Sequence, residues 1–181
     1  SASFHLPEKG IEHQAAMPNI VAPSQLQPFS KIFADFAEKF GIQARGILSS
    51  DGPFVFHPLE YYDPFNPGIR PPRQHLWFKP NGTVPVQPDL NAELMAYISD
   101  FNLLITSLLP HNLSFFTTPL KIASLDHAMW FHQDFQMNDW MLYEVESPRA
   151  AGGRAFCTGR IYSSSGILLA SVTQEGLVRK I

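Results

Sequence analysis

"DLNAELMAYISDFNLLITSLL", residues 89–109, decides the fold. Leu94, Ile98, Phe101, Ile105 and Leu108 recur at steps of three and four residues and form one helical stripe. Ala96, Tyr97, Leu103 and Leu104 fill much of the remaining circumference. A helix apolar nearly all round belongs inside a protein, so the stretch predicts one long buried helix from Asp89 to about Leu109. Such a helix needs other elements to enclose it.

The flanking sequence supplies strands. "FVFHPLEYY" (54–62) and "RQHLWFKP" (73–80) precede the helix, separated by "DPFNPGIRPP", whose prolines and glycine forbid regular structure. After it come "KIASLDHAMWFHQD" (121–134), "DWMLYEVES" (139–147), "GRAFCTGRIYS" (153–163) and "GILLASVTQEGLVRK" (166–180). The last three are divided by "PRAAGG" and "SSSG", compositions typical of hairpin loops. An antiparallel sheet of about six strands wrapped around a long central helix satisfies this order. That is the hotdog fold, of the α+β class.

Upstream, Phe29, Ile32, Phe33, Phe36 and Phe40 predict a short amphipathic helix stopped by Gly41. Residues 1–28 show neither helical nor strand periodicity and are expected to be a poorly ordered linker. The predicted organisation is therefore a linker (1–28), a connector helix (29–47) and a hotdog domain (48–181). With 181 residues, 45% of them hydrophobic, one domain is expected. A start without methionine and an apolar run at the C-terminus are the signs expected of a fragment. A net charge of −3 gives no electrostatic footprint for nucleic acid, and the pattern predicts no membrane insertion. A single cysteine, Cys157, excludes an internal disulfide and a cysteine-built zinc site.

Three polar residues stand out. Asp100 has only apolar neighbours three and four positions away, namely Ala96, Tyr97, Leu103 and Leu104. Gln174 shares a face of the last strand with Leu168, Ala170, Val172 and Val178, so its amide is directed at the helix. Ser124 enters on the strand after the helix, where mixed periodicity leaves its face open. Buried polar groups are normally hydrogen-bonded, so a polar cluster is expected here, either structural or functional. Asp100 capping a restart of the helix at "SDFN" is the plainer alternative.

Other candidates carry less. Asp126 and His127, as neighbours in a strand, would face opposite ways, so neither a local triad with Ser124 nor a metal site with His132 is expected. Cys157 shares a face with Ala155, Gly159 and Ile161 and reads as a small buried hydrophobe. Arg149, Arg154 and Arg160 lie about one hairpin and read as surface charge rather than phosphate ligands.

"AYISDFNLL", "IASLDHAMWFH", "DWMLYEVESPRAAGGRAF" and "GRIYSSSGILLASVTQEGLVR" closely resemble, in order and at the right intervals, the C-terminal half of the type II acyl-CoA thioesterases, a family of double-hotdog enzymes. In that family a helix aspartate, a threonine or serine opening the next strand and a final-strand glutamine position a water for attack on a thioester. The resemblance carries those roles to Asp100, Ser124 and Gln174, with serine where some relatives have threonine. It implies hydrolysis of medium- to long-chain fatty acyl-CoA, with coenzyme A as part of the substrate and no separate cofactor or metal. It also implies a peroxisomal or alternatively a cytoplasmic location, and a single hotdog sheet with an unpaired edge is expected to form a homodimer through hotdog pairing. A non-catalytic acyl-CoA-binding or assembly half is the competing expectation. A hydratase is disfavoured, because position 105 is Ile105 and the helix contains no histidine.

Overall fold

The computed structural model describes residues 1–6, 8–40 and 52–181. Residues 41–47 of the expected connector, the Gly41 stop and the start of the expected domain at 48–51 lie outside them. Helix α1 (Phe29–Phe40) is followed by strands β1 (Phe54–Pro58) and β2 (Arg73–Pro80) and by helix α2 (Pro88–Ser99). A turn leads into a 3-10 segment, Leu104–His111. Strands β3 (Leu120–Ser124), β4 (Ala128–Phe131), β5 (Met141–Ala151), β6 (Arg154–Ser163) and β7 (Leu168–Lys180) complete the chain. Among the described residues these strands form one sheet in the order β1-β2-β5-β6-β7, with β3 and β4 end to end along the far side of β7. Every pairing is antiparallel. The sheet therefore has the expected six lanes and curls around α2 and the 3-10 segment, which is the hotdog arrangement.

The central helix is shorter than the apolar stripe predicts. α2 stops at Ser99, with Asp100 as its C-cap, and Asn102 adopts a left-handed conformation at φ 61°. Short side chains such as asparagine tolerate that conformation, which turns the chain out of the helical path. The apolar repeat continues in the 3-10 segment, so Leu103, Leu104 and Leu108 remain buried. Residues 88–111 together are apolar and long enough to cross a membrane, but half of their most apolar stretch is buried within the protein and the helix breaks at Asp100, as suits a core element.

The core is the space between this segment and the inner face of the sheet. Met95, Ile98, Leu103 and Leu104 pack against Phe54, Phe78, Tyr143, Cys157, Ile161 and Val172. Burying such apolar surface is the main favourable term in folding, at roughly 25 cal/mol per Å². The inner phase of β7 differs slightly from strict alternation. Leu168, expected on the inner face, packs in the outer cluster because the pairing of β6 with β7 is irregular between Ile161 and Tyr162.

The outer face carries a second cluster, Trp77, Leu142 and Tyr162. Met17, Ile20 and Leu26 cover it. The segment is further tied down by hydrogen bonds from Trp77 Nε1 to the Val21 carbonyl (2.9 Å) and from Gln14 Nε2 to the Gly166 carbonyl (2.7 Å). Residues 14–26, within the expected linker, form a strap across the outer face that is irregular apart from a 3-10 turn at Pro23–Gln25. Its apolar side chains follow no regular period because its backbone is irregular apart from that short turn, and periodicity alone could not reveal their burial.

Gly159 on β6 faces the buried ring of Tyr143 on β5, and a Cβ at that position would overlap the ring. The expected result for Gly159→Ala is a loss of about 1–3 kcal/mol from overpacking. A lowered urea midpoint at unchanged slope checks it.

Candidate active site

Asp100, Ser124 and Gln174 come from three elements and meet. Ser124 ends β3 opposite Gly176 of β7, so Gln174, two residues earlier on β7, is its diagonal neighbour on the same face. Gln174 is 1% exposed. Its Nε2 donates to Asp100 Oδ1 at 2.6 Å and to Ser124 Oγ at 2.8 Å. The opposite amide orientation would set a carbonyl oxygen against the carboxylate, so the charge of Asp100 fixes the orientation. Gln174 Oε1 is buried and has no hydrogen-bond partner among the described residues.

The sequence pattern sets Asp100 among apolar neighbours, but the structure exposes both Asp100 and Ser124. Ala96 is exposed too, and Tyr97 is 58% exposed. One side of the last helical turn thus faces outward, and the Asp100 carboxylate rests at the surface above the buried Gln174 amide rather than in a dry pocket.

The strand predicted over 121–134 is two strands, and the gap between them shapes the site. At the gap, the Leu125 N–H donates to the Glu175 carbonyl at 2.9 Å, while Asp126 Oδ1 accepts the Glu175 N–H at 2.7 Å. A side chain has replaced a ladder partner, which bends the edge strand as a bulge does. Alternation therefore does not apply at His127, whose Nε2 lies 2.8 Å from Ser99 Oγ. Ser99 Oγ donates to the Ala96 carbonyl, so the histidine nitrogen is the donor in that contact. His132 Nε2 lies 2.8 Å from Ser171 Oγ. Neither histidine joins Asp100, Ser124 and Gln174, and the described residues contain no group of three or more metal-type side chains suited to an ion.

The end of α2 is also held from beneath. Tyr143 is 1% exposed and its hydroxyl donates to the Ser99 carbonyl at 2.5 Å, directly before Asp100. Burial pushes the Tyr143 hydroxyl well above its usual value near 10, and the nearby Asp100 carboxylate and Cys157 push the same way. Sequence reasoning missed Tyr143 and Ser99. The available signal was a hydroxyl on the apolar face of β5, between Met141 and Val145. Cys157 is buried as expected, and burial raises its thiol, which leaves it unsuited as a nucleophile. Arg154 and Arg160 form ion pairs with Glu175 (2.9 Å) and Glu144 (3.0 Å).

Residues 53–177 match the profile of the family described as acyl-CoA thioesterase. Acyl-CoA thioesterase 2 of Haemophilus influenzae is 38% identical over 179 residues, covering 99% of this chain and 63% of that protein. Peroxisomal acyl-coenzyme A thioester hydrolase 1 of Saccharomyces cerevisiae is 36% identical over 89 residues, 49% of this chain and 25% of that protein. Among solved structures, an acyl-CoA thioesterase II from Mycobacterium marinum superposes with a TM-score of 0.72 at 32% identity, over 97% of this chain and 60% of that one. The chain thus spans less than two thirds of the length of these relatives.

Removing the Tyr143 hydroxyl leaves the buried Ser99 carbonyl without its donor, so Tyr143→Phe is expected to destabilise by about 1–3 kcal/mol. The pH dependence has a definite sign. Because the folded-state value is raised, from about pH 10 upward the unfolded chain loses this proton while the folded chain keeps it, and stability falls as pH rises. Unfolding free energies measured across the alkaline range should show a shallower decline in Tyr143→Phe than in the parent protein.

Proposed function

This chain belongs to the acyl-CoA thioesterase family, and from that premise we propose that it hydrolyses medium- to long-chain fatty acyl-CoA to free fatty acid and coenzyme A. The observation that carries the proposal is the pair of hydrogen bonds by which one buried amide holds a carboxylate and a hydroxyl side by side. Both Nε2 protons of Gln174 are committed to those bonds. Gln174 therefore acts in this reading as a positioning residue, while Asp100 Oδ2 and the Ser124 hydroxyl are left to hold a water.

Attack of such a water on the thioester carbonyl requires that it lose a proton as the new C–O bond forms. Asp100 accepts that proton, and Ser124 orients the water's second contact. Collapse of the tetrahedral intermediate breaks the C–S bond, and the proton held by Asp100 passes to the leaving thiolate of coenzyme A, which restores the carboxylate. No covalent acyl-enzyme is needed.

The β3–β4 edge beside the site exposes Trp130 (52%) and Phe131 (48%). An open strand edge with exposed aromatic rings favours pairing with another sheet, which supports the proposed homodimer. For location, the yeast relative named peroxisomal favours the proposal of a peroxisomal protein, and the bacterial relative is compatible with the cytoplasmic alternative.

In the full-length protein, Asp100→Asn keeps the side-chain size but removes the base, and should lower acyl-CoA turnover roughly 100-fold or more. Thermal stability should change little, since the carboxylate is exposed. Ser124→Ala and Gln174→Ala should each remove much of the activity. Their combination should remove scarcely more than the worse single change, because both serve one water. Thiol release assayed beside thermal melts checks this: strict additivity would assign the two residues separate functions, and loss of the fold without loss of turnover per folded molecule would make Asp100 structural. Light scattering across a wide concentration range tests the assembly, with a dimer expected and a persistent monomer counting against it.

A further inference from the structure

We propose that His127 is a positioning residue for hydrolysis, acting through Ser99 on the neighbouring Asp100, an inference that rests on the thioesterase reading. Three pairs of adjacent residues, Ser99 with Asp100, Asp126 with His127, and Gln174 with Glu175, are closed into a ring by three hydrogen bonds. His127 Nε2 donates to Ser99 Oγ at 2.8 Å, the Glu175 N–H donates to Asp126 Oδ1 at 2.7 Å, and Gln174 Nε2 donates to Asp100 Oδ1 at 2.6 Å. The end of α2, the gap between β3 and β4, and β7 each supply one pair. The bond from Gln174 by itself would let the Asp100 carboxylate pivot with the helix end, whereas the second path through His127 ties that end to the same stretch of β7.

The last turn of α2 is where this tether takes hold. The Asp100 N–H turns to the Ile98 carbonyl instead of extending the four-residue ladder, and the Ser99 hydroxyl donates to the Ala96 carbonyl at 2.8 Å. With its proton committed there, Ser99 Oγ accepts from the imidazole, and a relay of hydrogen bonds runs from His127 through Ser99 to the helix backbone. Ser99 is fully buried, while His127 is exposed and its ring makes no other hydrogen bond among the described residues. Because the histidine is exposed, replacing it removes the tether without opening a cavity in the core.

The geometry of attack makes the tether matter. Displacement of a reacting group by about 1 Å can cost roughly 100-fold in rate. In this reading His127 touches neither the water nor the thioester, so its loss loosens the backbone that carries Asp100, lowering turnover and leaving substrate binding unchanged.

In the full-length protein, His127→Phe keeps a ring without a donor and should lower kcat for palmitoyl-CoA roughly tenfold, with KM held within about twofold. His127→Gln places an amide N–H where Nε2 stood and should restore kcat to within about threefold of the parent protein. In an Asp100→Asn background, His127→Phe should cost scarcely anything further, because it acts through Asp100. Full kcat in His127→Phe, an equal loss in His127→Gln, a rise in KM at unchanged kcat, or strict additivity with Asp100→Asn would overturn the assignment. If melting shows that His127→Phe is unfolded, Ser99→Ala removes the other partner of the same bond; a similar fall in kcat is expected, and undiminished kcat counts against the role. The side-chain amide signals of Gln174 in nitrogen–proton NMR spectra separate this outcome from failure of the thioesterase reading. If the protein hydrolyses no acyl-CoA, yet those signals shift in His127→Phe and return in His127→Gln, the coupling of His127 to Asp100 stands and the activity fails. If His127→Phe leaves them unmoved, the positioning role fails whatever the activity.

Discussion

A single buried amide ties the site together. Gln174 sits on the inner face of β7, where its neighbours in the alternation are Ala170, Val172 and Gly176. A side-chain amide in such surroundings must find partners or lose several kcal/mol of hydration, of the order of 2–7. Its donors find Asp100 and Ser124, and the three residues are thereby held at hydrogen-bond distance although 74 and 50 residues separate Gln174 from them. Its oxygen remains unpartnered among the described residues. A buried polar group left partly unsatisfied is a stability liability, and such liabilities recur where function sets the geometry.

The site depends on where α2 ends. Had the helix continued through Leu109, Asp100 would be one more position on a rotating stripe. Instead Ser99 is fixed twice, through its carbonyl by Tyr143 and through its hydroxyl by His127, and Asn102 turns the chain away. Gly159 admits the Tyr143 ring, and Gly176 admits Leu104 at a point where a Cβ would overlap its methyl groups. Two missing side chains on neighbouring strands therefore let the helical segment lie close against the sheet, within hydrogen-bond reach of β7.

The two faces of the sheet do different work. The inner face holds the helix and the polar cluster, while the outer face is sealed by an irregular strap that docks on Trp77 and Tyr162. The edge formed by β3 and β4 belongs wholly to neither face. Its interruption at Leu125–His127 is built by a carboxylate standing in for a backbone partner, and it frees His127 to reach the helix. The Asp126 and His127 pair is therefore structural in what it contacts, and its closeness to Ser124 in sequence does not make a triad.

The sequence by itself determined the lanes of the sheet, the burial of the central segment, the inward aim of Gln174 and the oddity of Asp100. Each follows from a local period, two residues in a strand or between three and four in a helix, that neighbouring residues report directly. The order of "AYISDFNLL" and the strands that follow also carried the family resemblance. Tertiary structure alone decided the rest: the facing of Ser124, the stop at Ser99, the strap over residues 14–26, the exposure of the Asp100 side of the helix, and the support of Ser99 by Tyr143. These depend on partners far away in the chain, a β7 carbonyl, a ring on β5 or an aromatic cluster on the outer face. A period identifies which side of an element is apolar, but which distant group meets that side is set only when the sheet has curled and brought its edges together.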